Sequence, residues 1–333
     1  MNFIEVASFD VVHESLSWPW LAFDSSGKRF AFASTDRLIA TRVMEEGRLA
    51  DGSSFSLPKD LALSGVHGFS LDSSGTLLAI AGVIGTTSVL VTCDADGEQR
   101  RSTMDTLAGA GFTARAVTFD RSGARVWISA ESEAETAVLL LDARTHAVVG
   151  IARSAVFPPP AMHELHLHPQ DDAVLLLAAC GQEGTFARVV GWSGEGLEAI
   201  PTALDAGGIT AGFVGFSADV SRVHLAEADE LRTHSWPALH ELSSADLADD
   251  FVGSYAGAVL GQHVYVDGED ADSGDDGVMR FDRSAIRGAL LPPPVPTGMW
   301  AGRLGVDTIV TVESKGDPAR GRVIRIALPD TSN

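Results

Sequence analysis

Phe23-Asp24-Ser25-Ser26-Gly27-Lys28-Arg29-Phe30-Ala31-Phe32-Ala33 decides the fold. It reads as a short apolar strand, a polar turn ending in glycine, and a second apolar strand. Near copies stand at Leu71-Asp72-Ser73-Ser74-Gly75-Thr76-Leu77-Leu78-Ala79-Ile80-Ala81 and at Phe119-Asp120-Arg121-Ser122-Gly123-Ala124-Arg125-Val126-Trp127. Asp24 to Asp72 is 48 residues and Asp72 to Asp120 another 48; the same frame reaches His168 after 48 more and Ser217 after 49. A fixed period of this length marks a repeat architecture, in which each unit buries its apolar faces only against its neighbours. The turn itself predicts a glycine-favoured, positive-φ backbone at Gly27, Gly75 and Gly123.

Two further strand-like segments follow each turn. In the third unit they are Ala137-Val138-Leu139-Leu140-Leu141 and Ala147-Val148-Val149, flanking a turn as a hairpin requires. Four antiparallel strands per unit make one blade of a β-propeller. Past the fifth unit the repeat decays. Ala258–Val266 reads as a shortened first hairpin of a sixth blade, the acidic run 267–277 as a solvated loop, and 243–251 as a short helix or loop. The seventh blade is one strand short at the C-terminus, and Phe3-Ile4-Glu5-Val6-Ala7-Ser8-Phe9 is a strand without a blade. Adding that strand to the last blade satisfies an otherwise unpaired edge. The expected fold is therefore all-β: a seven-bladed β-propeller of four-stranded antiparallel blades, its ring closed by the N-terminal strand. It forms a single domain over 1–333, with blades at 18–61, 66–110, 114–155, 162–203, 211–245, 254–290, and 297–328 plus 3–9.

Phe23-Asp24-Ser25-Ser26-Gly27 and Phe119-Asp120-Arg121-Ser122-Gly123 resemble the phenylalanine-serine-proline-aspartate-glycine turn of WD-repeat and YVTN-type bacterial propellers. Leu141-Asp142-Ala143-Arg144-Thr145 is similar to the aspartate-x-x-threonine-glycine turn between the outer strands of those families, with His146 where glycine is usual. The Gly-His and Trp-Asp dipeptides of WD repeats are absent. The resemblance covers about five blades and implies the propeller fold.

Composition narrows the function classes. The chain carries a formal charge of −21 and only three lysines, Lys28, Lys59 and Lys315. Such a surface repels phosphate backbones, so nucleic acid is not an expected partner. No apolar run approaches the roughly 20 residues of a membrane-spanning helix, so no membrane partner is expected either. The N-terminus lacks the basic and apolar regions of a secretory signal, and the expected location is cytoplasmic. Cys93 and Cys180 lie in strand-like surroundings and read as buried, inert thiols. A monomeric propeller with a protein partner and no cofactor is the expectation.

A propeller's working site is the mouth of its central channel, where the first strand of each blade begins. Five residues before the repeat's aspartate stand Pro19, His67, Arg115, His163 and Gly212. His67, Arg115 and His163 are the candidate catalytic residues: a histidine as general base and an arginine for an anionic group. Trp18, Trp20, Glu164, Phe213 and Trp300 are candidate binding residues, since aromatic anchors supply much interface energy. Glu164, His166 and His168 alternate on one strand face, as a zinc trio can, but the frame puts His166 between blades and His168 in the turn, so no metal site is expected. The acidic run lacks the glycine and closing glutamate of a calcium loop. The leading expectation is a non-enzymatic interaction scaffold. The alternative is a hydrolase resembling the YVTN-type sugar lactonases, acting on a small anionic or sugar-derived substrate at the mouth.

Overall fold

Each repeat turn is held by its own side chains. The computed structural model describes residues 2–12, 21–159, 161–202, 204–207, 210–282, 284–313 and 319–327. In it Asp24 Oδ1 accepts the N–H groups of Lys28 and Arg29 at 2.9 and 3.0 Å, and Oδ2 accepts the Ser26 hydroxyl at 2.5 Å. Asp72 repeats this with the N–H groups of Thr76 and Leu77 at 2.8 and 2.7 Å. Gly27, Gly75 and Gly123 take φ of 65°, 75° and 72°, the left-handed conformation the turn predicts. His168 does the aspartate's work with a ring nitrogen: Nδ1 accepts the Asp171 N–H at 2.8 Å. In the fifth turn Ser217 Oγ accepts the Arg222 N–H at 3.1 Å and donates to Asp219 Oδ1 at 2.6 Å. Val220 there holds φ 53°.

Among the described residues the turns join strands into seven antiparallel sheets, each built on a path of four strands. Sheet one runs Leu21–Phe23, Arg29–Thr35, Leu38–Glu45, Arg48–Ser56; sheet two Val66–Leu71, Leu77–Ile84, Thr87–Asp94, Gln99–Thr103. Sheet three runs Thr113–Phe119, Arg125–Glu131, Glu135–Asp142, Val148–Ala155; sheet four Met162–Leu167, Ala173–Ala179, Gly184–Trp192, Leu197–Ile200. Sheet five runs Gly212–Phe216, Arg222–Ala226, Glu230–Ser235, Glu241–Asp246; sheet six Phe251–Leu260, His263–Asp270, Asp276–Phe281, Gly288–Leu290. Sheet seven is Met299–Leu304, Thr308–Glu313, Ala319–Ala327, with Asn2–Val11 hydrogen-bonded beside Ala319–Ala327. The two ends of the chain thus share one sheet, as the orphan N-terminal strand predicts. Two compact units divide the chain: one holds Val11–Gly181 and Phe186–Pro201, the other Met1–Asp10, Gln182–Thr185 and Thr202–Asn333. Among the described residues no helix is long and apolar enough to cross a membrane.

Three sequence expectations for the sixth blade need correction. Its first hairpin is not shortened; its strands have ten and eight residues. Gly253, Gly257 and Gly268 hide the strand signal, yet a Cβ at any of them would fall within 2.6 Å of a backbone oxygen. The stretch 243–251 is loop only at 247–250: Glu241–Asp246 is the fourth strand of sheet five and Phe251 opens sheet six. The acidic run is strand as far as Asp270 and strand again from Asp276.

Packing follows the two-residue alternation of the strands. Ala137, Leu139 and Leu141 of sheet three face Leu77, Leu90 and Met104 of the second repeat. Val138 and Leu140, pointing the other way, meet Val174 and Leu176 of sheet four. Both faces of a middle strand are therefore buried, which is why it reads as an unbroken apolar run. Each large side chain so buried contributes about 1.5–3 kcal/mol. Phe3 of the N-terminal strand joins the cluster of Leu260, Tyr265, Trp300 and Ile326. Cys93 and Cys180 are buried, and burial, reinforced by Asp94, pushes the Cys93 thiol up to about 11, where it is inert.

Candidate functional site

The three residues aligned at the first-strand starts of sheets two to four do not share a fate. His67 is half-buried, and its Nδ1–H donates to the carbonyl of Ala114 at 2.7 Å, tying sheet two to sheet three. Arg115 and His163 instead meet on Glu131, at the end of the second strand of sheet three. Glu131 Oε2 lies 3.5 Å from Arg115 Nε and 3.4 Å from His163 Nε2. His163 Nδ1 lies 3.2 Å from Ser129 Oγ. Nε2 faces the carboxylate and Nδ1 the hydroxyl, but among the described residues neither His163 Nε2 nor Glu131 Oε2 completes a hydrogen bond.

Burial sets the charges of this group. The His163 side chain is 0% exposed, with the Phe157 ring edge-on at 5.5 Å. Desolvation, with Arg115 and Arg188 adding repulsion, lowers its pKa to about 3, so it is neutral near pH 7. Desolvation also raises the Glu131 carboxyl, against the pull of Arg115. A neutral imidazole, a buried carboxyl and a partly exposed guanidinium can hold two sheets together. As a base for water they are poorly placed, because His163 has no open face.

The binding candidates scatter. Trp18 and Trp20, with Pro19 between them, lie outside the described residues. Glu164 is half-exposed and pairs with His166 at 2.9 Å, while His168 sits in its turn, so that trio does not converge. Phe213 is half-buried, its ring 5.4 Å from Phe216, which in turn meets Trp236 at 5.2 Å. Trp300 is not an exposed anchor: it is 2% exposed, its ring stacks on Tyr265, and its backbone N–H donates to Asp267 Oδ2 at 3.1 Å. The period locates it correctly at a first-strand start, but the side chain turns inward as a wedge between sheets six and seven.

Sequence reasoning passes over the residues that matter most near Trp300. Asp267, in the middle of the acidic run, is buried at 3% exposure and accepts from Ser254 Oγ at 2.8 Å as well as from Trp300. It is the register partner of Ala256. Tyr255 follows Ser254 and Met299 precedes Trp300, the two residues that donate to that carboxylate, and both are exposed, at 42% and 44%; Val252 nearby is 40% exposed. Tyr255 stands in a bulge with φ 60°. Gly212 admits the bulge, since a Cβ there would lie 1.7 Å from the Tyr255 carbonyl oxygen. Glycine at 212, read only as chemically silent, is the signal that could have drawn attention here.

Comparison with known proteins places the fold. No family model and no curated protein matches the sequence. Among solved structures, the chain is similar to the β-propeller domain of Cps50 (Swd1) from Myceliophteria thermophila. The TM-score is 0.58 at 11% identity, over 95% of this chain and 98% of that one. The fold is that of a seven-bladed β-propeller, with the N-terminal strand completing the last blade.

Proposed function

We propose that this protein is a non-enzymatic interaction scaffold that docks a protein partner on the first-strand starts of blades six and seven. The observation that carries the reading is the exposure of Val252, Tyr255 and Met299 together, on a backbone pinned by the buried Asp267. Large apolar side chains held outward on a rigid frame lose little entropy on docking. The propeller neighbour supports the class of function and not a partner. Buried thiols at Cys93 and Cys180 suit a reducing compartment, and we place the protein in the cytoplasm. Affinity purification from the native host tests the reading. Tyr255→Asp with Met299→Asp is expected to lose the captured partner while the far-ultraviolet dichroism stays that of the wild type.

A hydrolase reading keeps one observation in its favour, the meeting of Arg115 and His163 at Glu131. Lactone hydrolysis by the wild type that disappears in His163→Ala would replace the scaffold reading. The buried, neutral His163 leads us to expect no turnover.

A further inference from the structure

The fifth repeat departs from the turn pattern, and the departure faces a groove. In the first and second repeats the turn carboxylates, Asp24 and Asp72, are buried at 4% and 7% exposure and spend both oxygens on their own loops. In the fifth, Ser217 takes that inner place and the carboxylate moves two residues on, to exposed Asp219. Val220 occupies the glycine position in a left-handed conformation that a β-branched residue rarely adopts. A groove of roughly 490 Å³ opens there, between this turn and two turns of blade six, lined by Asp219, Arg222, His224, Gln262, Asp282 and Ser284 among others. That volume lies within the usual range for small-ligand sites of about 300–1,000 Å³.

The lining has unspent hydrogen-bonding capacity. Asp219 Oδ1 accepts from Ser217 and Ser221 hydroxyls at 2.6 and 2.9 Å, and these bonds hold its acid down to about 2. Asp282 Oδ1 accepts the Ser284 hydroxyl at 2.6 Å and is lowered for the same reason. Both are anions across the physiological range, and among the described residues no hydrogen bond reaches the Oδ2 of either. At the floor, His224 is 1% exposed, and its Nδ1 lies 3.0 Å from Thr233 Oγ1. Among the described residues no hydrogen bond reaches His224 Nε2. Two carboxylates outweigh the single Arg222, so the groove favours a cation, in keeping with the −21 of the whole chain.

We propose that this groove takes a lysine or arginine side chain from an extended, basic segment of a partner protein. The cation sits on the free oxygens of Asp219 and Asp282, His224 Nε2 and Gln262 meet the segment's polar atoms, and Arg222 donates to one of its carbonyls. The proposal rests on the scaffold reading and adds a second contact, at the far end of the blade-six first strand from Val252 and Tyr255.

The test is fluorescence anisotropy with a fluorescein-labelled Ala-Arg-Ala-Arg-Ala-Arg-Ala peptide at about 0.15 M salt, where diffuse attraction is screened beyond roughly 8 Å. Wild type is expected to bind it more tightly than the corresponding Ala-Glu peptide. Asp219→Asn with Asp282→Asn should weaken binding roughly tenfold or more, the loss of charge-assisted bonds. Asp96→Asn with Glu133→Gln removes the same charge from exposed turns elsewhere and should leave binding unchanged, as should Tyr255→Ser. Gln262→Lys, an exposed site outside the turn hydrogen bonds, puts a competing cation in the groove and gives the same loss if the aspartate variant fails to fold. Equal weakening by both charge-removing pairs, undiminished binding in Gln262→Lys, or no preference for the basic peptide overturns the proposal. Failure of the scaffold reading is seen separately, as partner capture that survives Tyr255→Asp with Met299→Asp.

Discussion

At the scale of the residue, the repeat turn makes opposite demands on two positions. Gly75 holds φ 75°, and a side chain there also presses on the Arg29 stem, 2.9 Å from an added Cβ. Arg29 can yield, so the backbone sets most of the cost: Gly75→Val is expected to lose about 1–2 kcal/mol in urea denaturation. Val220 already carries that strain. Val220→Gly should gain up to roughly 1 kcal/mol, less what the freer unfolded chain takes back, and a lowered urea midpoint would count against the strain. The glycine turns were legible because Asp-Ser-Ser-Gly states its geometry in residue types. Val220 was not, since Ser217-Ala218-Asp219-Val220 contains no residue that asks for a left-handed backbone. His168 was legible only through the 48-residue frame, as an imidazole nitrogen and a carboxylate oxygen accept the same N–H groups.

At the scale of the element, alternation made the middle strands easy to place, and polar residues at strand ends made contacts between blades hard to foresee. The frame aligned the starts of first strands, so His67, Arg115 and His163 came out together. It gave no reason to look at Glu131 or Asp267, which end or interrupt second strands and act on the next blade. Their burial has a pH signature. The folded-state pKa of Asp267 is pushed up to about 7, because desolvation outweighs the help of Ser254 and Trp300; Glu227, chiefly desolvated and opposed by Arg232, also reaches about 7. Raised values mean stability that is full at acid pH and lost as pH rises through about 7. His163 and His224, lowered to about 3 and 4 by burial, act the other way: the unfolded chain takes up their protons below about 6.5, and stability falls with pH from there. With His146, also lowered to about 4 by burial, the histidines outweigh the two carboxyls on the acid side, and melting temperature is expected to peak near pH 6–7. Asp267→Asn, which keeps an acceptor for the Trp300 N–H, should flatten the decline between pH 6 and 8; an unchanged slope would remove Asp267 from the account.

At the scale of the whole molecule, the prediction concerns the shared last sheet. Deleting residues 1–9 strips the strand beside Ala319–Ala327, takes Phe3 from the cluster around Trp300, and lifts Phe9 from Gly321, where an added Cβ would fall 2.4 Å from its ring. A fall in melting temperature of well over about 5 °C is expected, given the loss of a whole strand with one buried ring, Phe9, and one partly buried, Phe3. The need for this strand could be read from an outer strand missing at one end of the chain and a spare one at the other. The sixth blade was less legible because its glycines thin out the apolar pattern.

That shared sheet also sets an order on biosynthesis. Asn2–Val11 finds its hydrogen-bonding partner only when Ala319–Ala327 has been made. Until then that strand has an unspent edge, and the nascent chain carries it while the sheets between the two are made. A chain cut short before Ala319 would therefore leave that edge bare, marking the incomplete product for chaperones or proteases.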